Sequence, residues 1–188
     1  MLLKLKNLNY LLIFLVILVS FIGAAGLYSA ADGSYDPWAS RHIVRFFVLL
    51  FMAIIIAFID IKLIYKYTYL IFVLSFVLLL SVELIGVFGK GATRWINIFG
   101  LNLQPSELVK ISIILALAKF YNDLKFGEIT KIINLFFPFL ILFFPFILVV
   151  MQPDLGTALS IVILGIFILF ASGVMLWKFI LGAFILIG

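Results

Sequence analysis

Long apolar runs separated by short polar ones dominate the chain. A helix that crosses the hydrocarbon of a bilayer takes about 20 consecutive, mostly apolar residues, within a range of roughly 17 to 25. The runs that approach this length are Tyr10–Leu27, Ile43–Ile59, Tyr67–Phe88, Ser106–Phe120, Ile132–Met151 and Leu155–Ala171. A seventh begins near Met175 and is still apolar at Gly188. The pattern predicts an all-α, polytopic helical membrane protein with about six complete transmembrane helices and the start of a seventh, in a single integral membrane domain over residues 1–188. The fourth and sixth runs are short, which predicts that their ends lie inside protein rather than lipid. The motif FFPF occurs at Phe136–Phe139 and again at Phe143–Phe146. Its prolines fall near one face of a helix, where each removes a backbone donor and favours a bend packed against neighbours. The final run, WKFILGAFILIG, stops without a flanking charge or loop, which predicts the N-terminal part of a longer protein.

Composition supports the membrane reading. Hydrophobic residues make up 67% of the chain and charged residues 11%, and the mean hydropathy is +1.40. A soluble domain is nearer half apolar and a quarter charged. Cysteine is absent, which excludes disulfides, thiol nucleophiles and thiolate metal sites, and a single histidine, His42, argues against a histidine-based metal cluster. The net charge of +5 is scattered between apolar runs rather than gathered in a block, so it does not point to nucleic acid. Lys4 and Lys6 precede the first run as in a signal peptide, but no small-x-small cleavage site leads into a soluble domain, so the run is read as a retained helix. With the N-terminus cytoplasmic, eight of the thirteen basic residues (among them Lys62, Lys66, Lys119, Lys125, Lys131 and Lys178) fall inside and five (Arg41, Arg45, Lys90, Arg94 and Lys110) outside. Three polar segments then share the outer compartment: YSAADGSYDPWASRH, GKGATRWINIFGLNLQPSE and MQPDLGT.

Two of these repeat one device. In QPSELVK, Pro105 suits the first helical position, Glu107 falls in the first turn, where the helix dipole favours negative charge, and Lys110 is three residues on, on the same face. In MQPDLGT, Pro153 starts a helix, Asp154 sits in its first turn, Gly156 permits close backbone approach, and Thr157 can bond back to the backbone. A capped helix with an internal ion pair accounts for the first segment. A charged pair lining a polar cavity accounts for it equally, because ionised groups in hydrocarbon are costly without a partner or a role. Lys110 or Arg94 is the expected partner of Asp154. In GKGATRWINIFG, Gly89, Gly91 and Gly100 suggest a tightly turned interfacial segment, Trp95 suits the membrane boundary, and Arg94 is suited either to anchoring there or to phosphate recognition. Glu83 can join the same cluster or reach the interface. His42 is read as a helix-start residue at the membrane surface with no assigned role. These residues fit an enzyme acting on a lipid-linked anionic substrate, or a transporter.

GATRWINIFGLNLQPSELVK resembles the Gly-Ala-x-Arg-Trp…Gln-Pro-Ser-Glu-x-x-Lys signature of the SEDS (shape, elongation, division and sporulation) family, and MQPDLGTA resembles that family's Gln-Pro-Asp-Leu-Gly-Thr signature, in the same order and separation. The loop LYSAADGSYDPWASRHIVRF and the short N-terminal tail are more similar to the elongation branch than to the division branch. The resemblance covers essentially the whole chain. It implies a peptidoglycan glycosyltransferase of the bacterial cytoplasmic membrane that polymerises lipid II into glycan strands on the outer face during cell elongation. It implies work with a class B penicillin-binding protein, other elongation-complex membrane proteins and membrane lipid, and no nucleic acid. The family's presumed general base, an aspartate in an outer loop after the seventh helix, would lie beyond residue 188, so these residues alone would be inactive. Asp154 matches a second functional aspartate and takes a supporting catalytic role. Glu107 and Lys110 match a buried charged pair, and Arg94, Gln104, Ser106 and Gln152 match cavity-lining, substrate-binding positions. Arg94 and Lys110 would stabilise the leaving pyrophosphate while Asp154 orients them or shapes the cavity. No cofactor or metal ligand set is evident, although a divalent cation is compatible with a pyrophosphate leaving group. The same residues leave open a lipid II flippase or other transporter, and a non-catalytic membrane scaffold for a penicillin-binding protein.

Overall fold

A computed structural model describes residues 8–85, 87–89, 92–98, 101–129 and 131–174. The expected seventh run and the orientation markers Lys4, Lys6, Lys90 and Lys178 lie outside the described residues, as do Gly91 and Gly100. The helices are α1 (Tyr10–Ala30), α2 (Trp38–Phe58), α3 (Ile61–Ile85), α4 (Pro105–Asp123), α5 (Ile133–Met151) and α6 (Leu155–Ala171). The fold is that of a multi-pass helical membrane protein. Among the described residues, α1, α2, α3 and α5 are long and apolar enough to cross a membrane. The other two correspond to the runs read as short: α4 carries Glu107, Lys110, Lys119 and Asp123, and α6 has 17 residues.

The chain divides into two compact units, one ending at Leu63 and one beginning at Ile64. In the first, α1 and α2 form a hairpin. Asn9 caps α1, its Oδ1 accepting from the Leu12 N–H at 3.0 Å. His42 lies near the start of α2. It is half-buried, with Nε2 3.2 Å from both the hydroxyl and the carbonyl oxygen of Ser20 on α1. An imidazole at the level of an apolar neighbouring helix must find polar partners, and a serine and a backbone carbonyl supply them.

In the second unit, α4 is the central helix. Its buried Val109, Ile113, Ala116 and Leu117 recur at helical period and form the core with Leu79 of α3, Ile141 and Val149 of α5, and Ala158 and Ile161 of α6. Helices in lipid gain little from hydrophobic transfer against one another, so close packing and interhelical hydrogen bonds hold them. Ser75 of α3 and Ser112 of α4 pair through their hydroxyls at 2.6 Å inside this core. Pro138 and Pro145 both lie within α5 and both are buried, consistent with the shared face expected from their spacing.

One element departs from the all-helical expectation. The third run ends as helix at Ile85, and Val87–Gly89 is instead β1 of a small antiparallel meander with β2 (Ala92–Ile98) and β3 (Leu101–Leu103). Val87 pairs with Trp95, and Ile96 with Leu103. Side chains alternate along β2, so half-buried Arg94 and buried Ile96 face one way while exposed Trp95 and Asn97 face the other.

The α5–α6 contact turns on Gly165, where an added Cβ would lie 2.5 Å from both terminal methyls of Leu142. Gly165→Ala is expected to be absorbed by rotation of the flexible Leu142 side chain at a cost of about 1 kcal/mol, whereas Gly165→Leu overpacks the contact by about 1–3 kcal/mol. Thermal unfolding of the detergent-solubilised variants should rank wild type, then Ala, then Leu; equal midpoints would mean that this contact is not close-packed.

Candidate functional site

The polar site lies where β2, the start of α4 and the α5–α6 turn meet. Helix α5 ends at Met151, and its last turn closes with the Gln152 N–H on the Leu148 carbonyl at 3.2 Å. Asp154 is the N-cap of α6, one position earlier than the first-turn placement expected from sequence, and Pro153 belongs to the turn rather than to the helix. As a cap, Asp154 accepts from the Thr157 N–H at 3.2 Å through Oδ1. Its Oδ2 accepts from the Thr157 hydroxyl at 2.9 Å and from the Gln104 side-chain amide at 3.2 Å. Arg94 Nη1 stands 3.8 Å from Oδ1, with the Asp154 side chain 13% exposed and that of Arg94 32%.

Arg94 is the partner of Asp154, and Lys110 is not. The same guanidinium donates from Nε to the Gln152 carbonyl at 3.2 Å and from Nη2 to the Pro153 carbonyl. A rigid fork of donors lets one side chain hold two carbonyls and a carboxylate at once. Gln152 is buried, and its side-chain amide reaches the Leu79 carbonyl of α3 at 3.4 Å. Gln104 is the N-cap of α4, yet its amide reaches across to Asp154 rather than to its own helix. Ser106 is buried in the first turn of α4, behind Pro105 at the helix start.

The Glu107–Lys110 pair is made, at 2.8 Å, as the i,i+3 spacing required. It is not buried, contrary to expectation: the Glu107 side chain is 56% exposed and that of Lys110 is 19%. The pair sits at the rim because α4 turns its Val109–Ile113 face to the core and carries Glu107 on the other side. Glu83 is exposed on α3, and no hydrogen bond or ion pair among the described residues joins it to the cluster. Gly156 does not mediate a close backbone approach: a Cβ there would meet only Asp154 Oδ1, at 3.9 Å. Thr157, which sequence reading credited only with bonding to the helix backbone, is a double donor to Asp154. Its spacing from Asp154, that of an N-cap and its third helical residue, is the signal that would have found it.

The arrangement determines what Asp154 can do. With Thr157, Gln104 and Arg94 gathered on its two oxygens, the carboxylate joins α6, α4 and β2 at one point. Arg94 retains N–H groups beyond those it spends on Gln152, Pro153 and Asp154. Among the described residues, no group of three or more His, Asp or Glu side chains could hold a metal ion.

The chain matches the FTSW_RODA_SPOVE family, described as cell cycle protein, over residues 4–188. The probable peptidoglycan glycosyltransferase FtsW of Trichlorobacter lovleyi is 32% identical to it over 192 residues, covering 96% of this chain and 49% of that protein. The peptidoglycan glycosyltransferase MrdB of Escherichia coli K12 is 33% identical over 117 residues, covering 62% of this chain and 31% of that protein. The crystal structure of the rod shape determining protein RodA of Thermus thermophilus is similar with a TM-score of 0.79 and 28% identity, over 95% of this chain and 58% of that one. A chain of a peptidoglycan synthase complex, solved for its coordination of polymerization and crosslinking, is similar with a TM-score of 0.82 and 29% identity, over 95% of this chain and 52% of that one. The chain spans about half the length of the FtsW relatives it matches.

Arg94→Lys keeps the charge and loses the fork. It is expected to free the Gln152 and Pro153 carbonyls, to cost about 1–3 kcal/mol, and to raise amide exchange in both β2 and residues 152–157. Exchange at wild-type levels in either segment would mean that Arg94 does not hold the meander to the turn.

Proposed function

The chain belongs to the FTSW_RODA_SPOVE family of cell cycle proteins, and from that premise we propose that it forms part of a peptidoglycan glycosyltransferase that polymerises lipid II. The observation that carries the reading is the Arg94–Asp154 pair, held by Gln104 and Thr157 at a helix end. A lipid-linked pyrophosphate needs cations fixed near the membrane surface, and an arginine locked in place by its own carboxylate supplies one without reorganisation at the moment of reaction.

In the proposed reaction the 4-hydroxyl of the acceptor sugar attacks the anomeric carbon of the growing strand. A glycosidic C–O bond forms, the anomeric C–O bond to pyrophosphate breaks, and undecaprenyl pyrophosphate leaves with the bonding electron pair. The hydroxyl proton passes to a carboxylate base other than Asp154, whose oxygens are engaged. Arg94 and Lys110 meet the leaving pyrophosphate separately: Asp154 orients Arg94, while Lys110 is oriented by Glu107. Gln104, Ser106 and Gln152 shape the cavity wall. This face of the bundle is extracytoplasmic in the proposal, with the N-terminus inside and the protein in the bacterial cytoplasmic membrane. A class B penicillin-binding protein is the proposed crosslinking partner, supported by the similarity to a chain of a synthase complex that coordinates polymerization and crosslinking. Placement in the elongation branch rests on the first loop and short tail, and the relatives include both FtsW and MrdB proteins.

Asp154→Asn in the full-length protein, with its partner present, is expected to lower lipid II polymerisation at least tenfold while leaving expression and membrane insertion unchanged. Gel analysis of glycan strands from labelled lipid II reads the result. Normal polymerisation would falsify the role of Asp154, and movement of labelled lipid II across vesicles without polymer would replace the whole reading with transport.

A further inference from the structure

Sequence resemblance places Gln152 among substrate-binding residues, but the fold commits it elsewhere. It is 3% exposed, and it is bonded to three different elements. Its N–H closes the last turn of α5 on the Leu148 carbonyl at 3.2 Å, its carbonyl accepts from Arg94 Nε of β2 at 3.2 Å, and its side-chain amide donates to the Leu79 carbonyl of α3 at 3.4 Å. The last bond is long, but it is buried, where no water competes for either group. Leu79 itself belongs to the core of the second unit. These bonds close a ring. Helix α3 runs on from Leu79 to Ile85 and leads into β1, β1 pairs with β2, β2 carries Arg94, and Arg94 returns to Gln152. Arg94 is thus placed relative to α3 twice, along the chain through the meander and across the core through Gln152.

We propose that Gln152 is a positioning residue. Its side chain touches no substrate; it fixes the α5–α6 turn to α3, so that its own carbonyl holds the Arg94 guanidinium at Asp154. The Leu79 carbonyl lies well inside α3 and has an intrahelical partner there, so the amide is not needed to rescue an orphaned backbone group. What it adds is location. Glutamine is the side chain for that task, because it carries a donor at the end of two methylenes. Asparagine falls one methylene short of Leu79, and glutamate would set an acceptor against a carbonyl. The consequence for the reaction rests on the proposed role of Arg94 toward the leaving pyrophosphate; the consequence for the fold does not.

The test uses the full-length protein with its partner. Gln152→Met keeps the length of the side chain and removes the donor; Gln152→Asn keeps an amide that cannot reach. Both are expected to raise hydrogen exchange in β2, a strand to which the Gln152 side chain makes no hydrogen bond, while leaving α4 unchanged. Wild-type exchange in β2, or a rise spread over α4 as well, overturns the proposal whatever the enzyme does. In lipid II polymerisation both variants are expected to lower kcat about fivefold, the effect of one lost hydrogen bond, with KM unchanged. A raised KM at unchanged kcat is the mark of a lost substrate contact and overturns the proposal. A double-mutant cycle supplies the second arm. If Gln152 acts through Arg94, adding Gln152→Met to Arg94→Lys costs nothing further, whereas losses that multiply make the two residues independent and overturn it. Normal polymerisation by Arg94→Lys alone removes the role of Arg94 in the reaction, and the exchange result then decides whether Gln152 positions it.

Discussion

The second unit depends on one junction, where the C-terminus of α5 meets the N-terminus of α6 across three residues, Gln152, Pro153 and Asp154. A helix C-terminus presents carbonyls with no intrahelical partner, and a helix N-terminus presents amides in the same state. In a low-dielectric setting both are costly. Arg94 covers the carbonyl side through Gln152 and Pro153, and Asp154 covers the amide side through Thr157. The helix dipoles favour a cation at the first end and an anion at the second. The ion pair is therefore aligned with the field of the two helices it joins, and the arginine that completes it belongs to a third element, β2.

That alignment ties the meander to the core. Arg94 and Ile96 lie on one face of β2, so the residue that clamps the turn and the residue that buries itself are set by the same strand register. A slip of one residue would exchange both for Trp95 and Asn97. Helix α4 then connects the two ends of the unit. Gln104 at its start reaches Asp154, and Lys119 near its end donates to the Tyr65 carbonyl at 2.7 Å while lying over the rings of Tyr65 and Tyr69. Asp123 accepts from the Tyr65 hydroxyl at the same end. Between them, the Ser75–Ser112 pair fixes α3 against α4 at mid-depth. Charges that look scattered along α4 in sequence mostly have a defined partner in the fold.

The helices were legible because a membrane leaves few choices: backbone polar groups must be satisfied within the segment, so long apolar runs are helices, and α6 coincides with its expected bounds. The meander was not legible. Its strands are three to seven residues long, and Gly89, Gly91 and Gly100 carry a turn signal strong enough to mask the alternation at Arg94–Asn97. The site was half legible. Composition flags any carboxylate in so apolar a chain, so Asp154 stood out with Arg94 as one candidate partner, whereas Gln104 and Gln152 entered only through the resemblance to the family signatures. Which cation pairs with which anion depends on register and helix rotation, and neither follows from spacing along one segment. Lys110 was thus credited to Asp154 as readily as Arg94, and Glu107 was expected to be buried.

The identity of residue 154 follows from the same geometry. A serine would cap α6 as well as an aspartate does, through the Thr157 amide alone. It could not at the same time accept from the Thr157 hydroxyl and the Gln104 amide and balance a guanidinium. Asparagine would offer one oxygen and turn an NH₂ group toward donors. Only a carboxylate accepts at both oxygens and from every partner present while carrying the charge that Arg94 needs. A buried charge is favourable when its partners satisfy it completely and costly when they do not. A carboxylate met by three side chains from three segments is thus the point that fixes their mutual geometry.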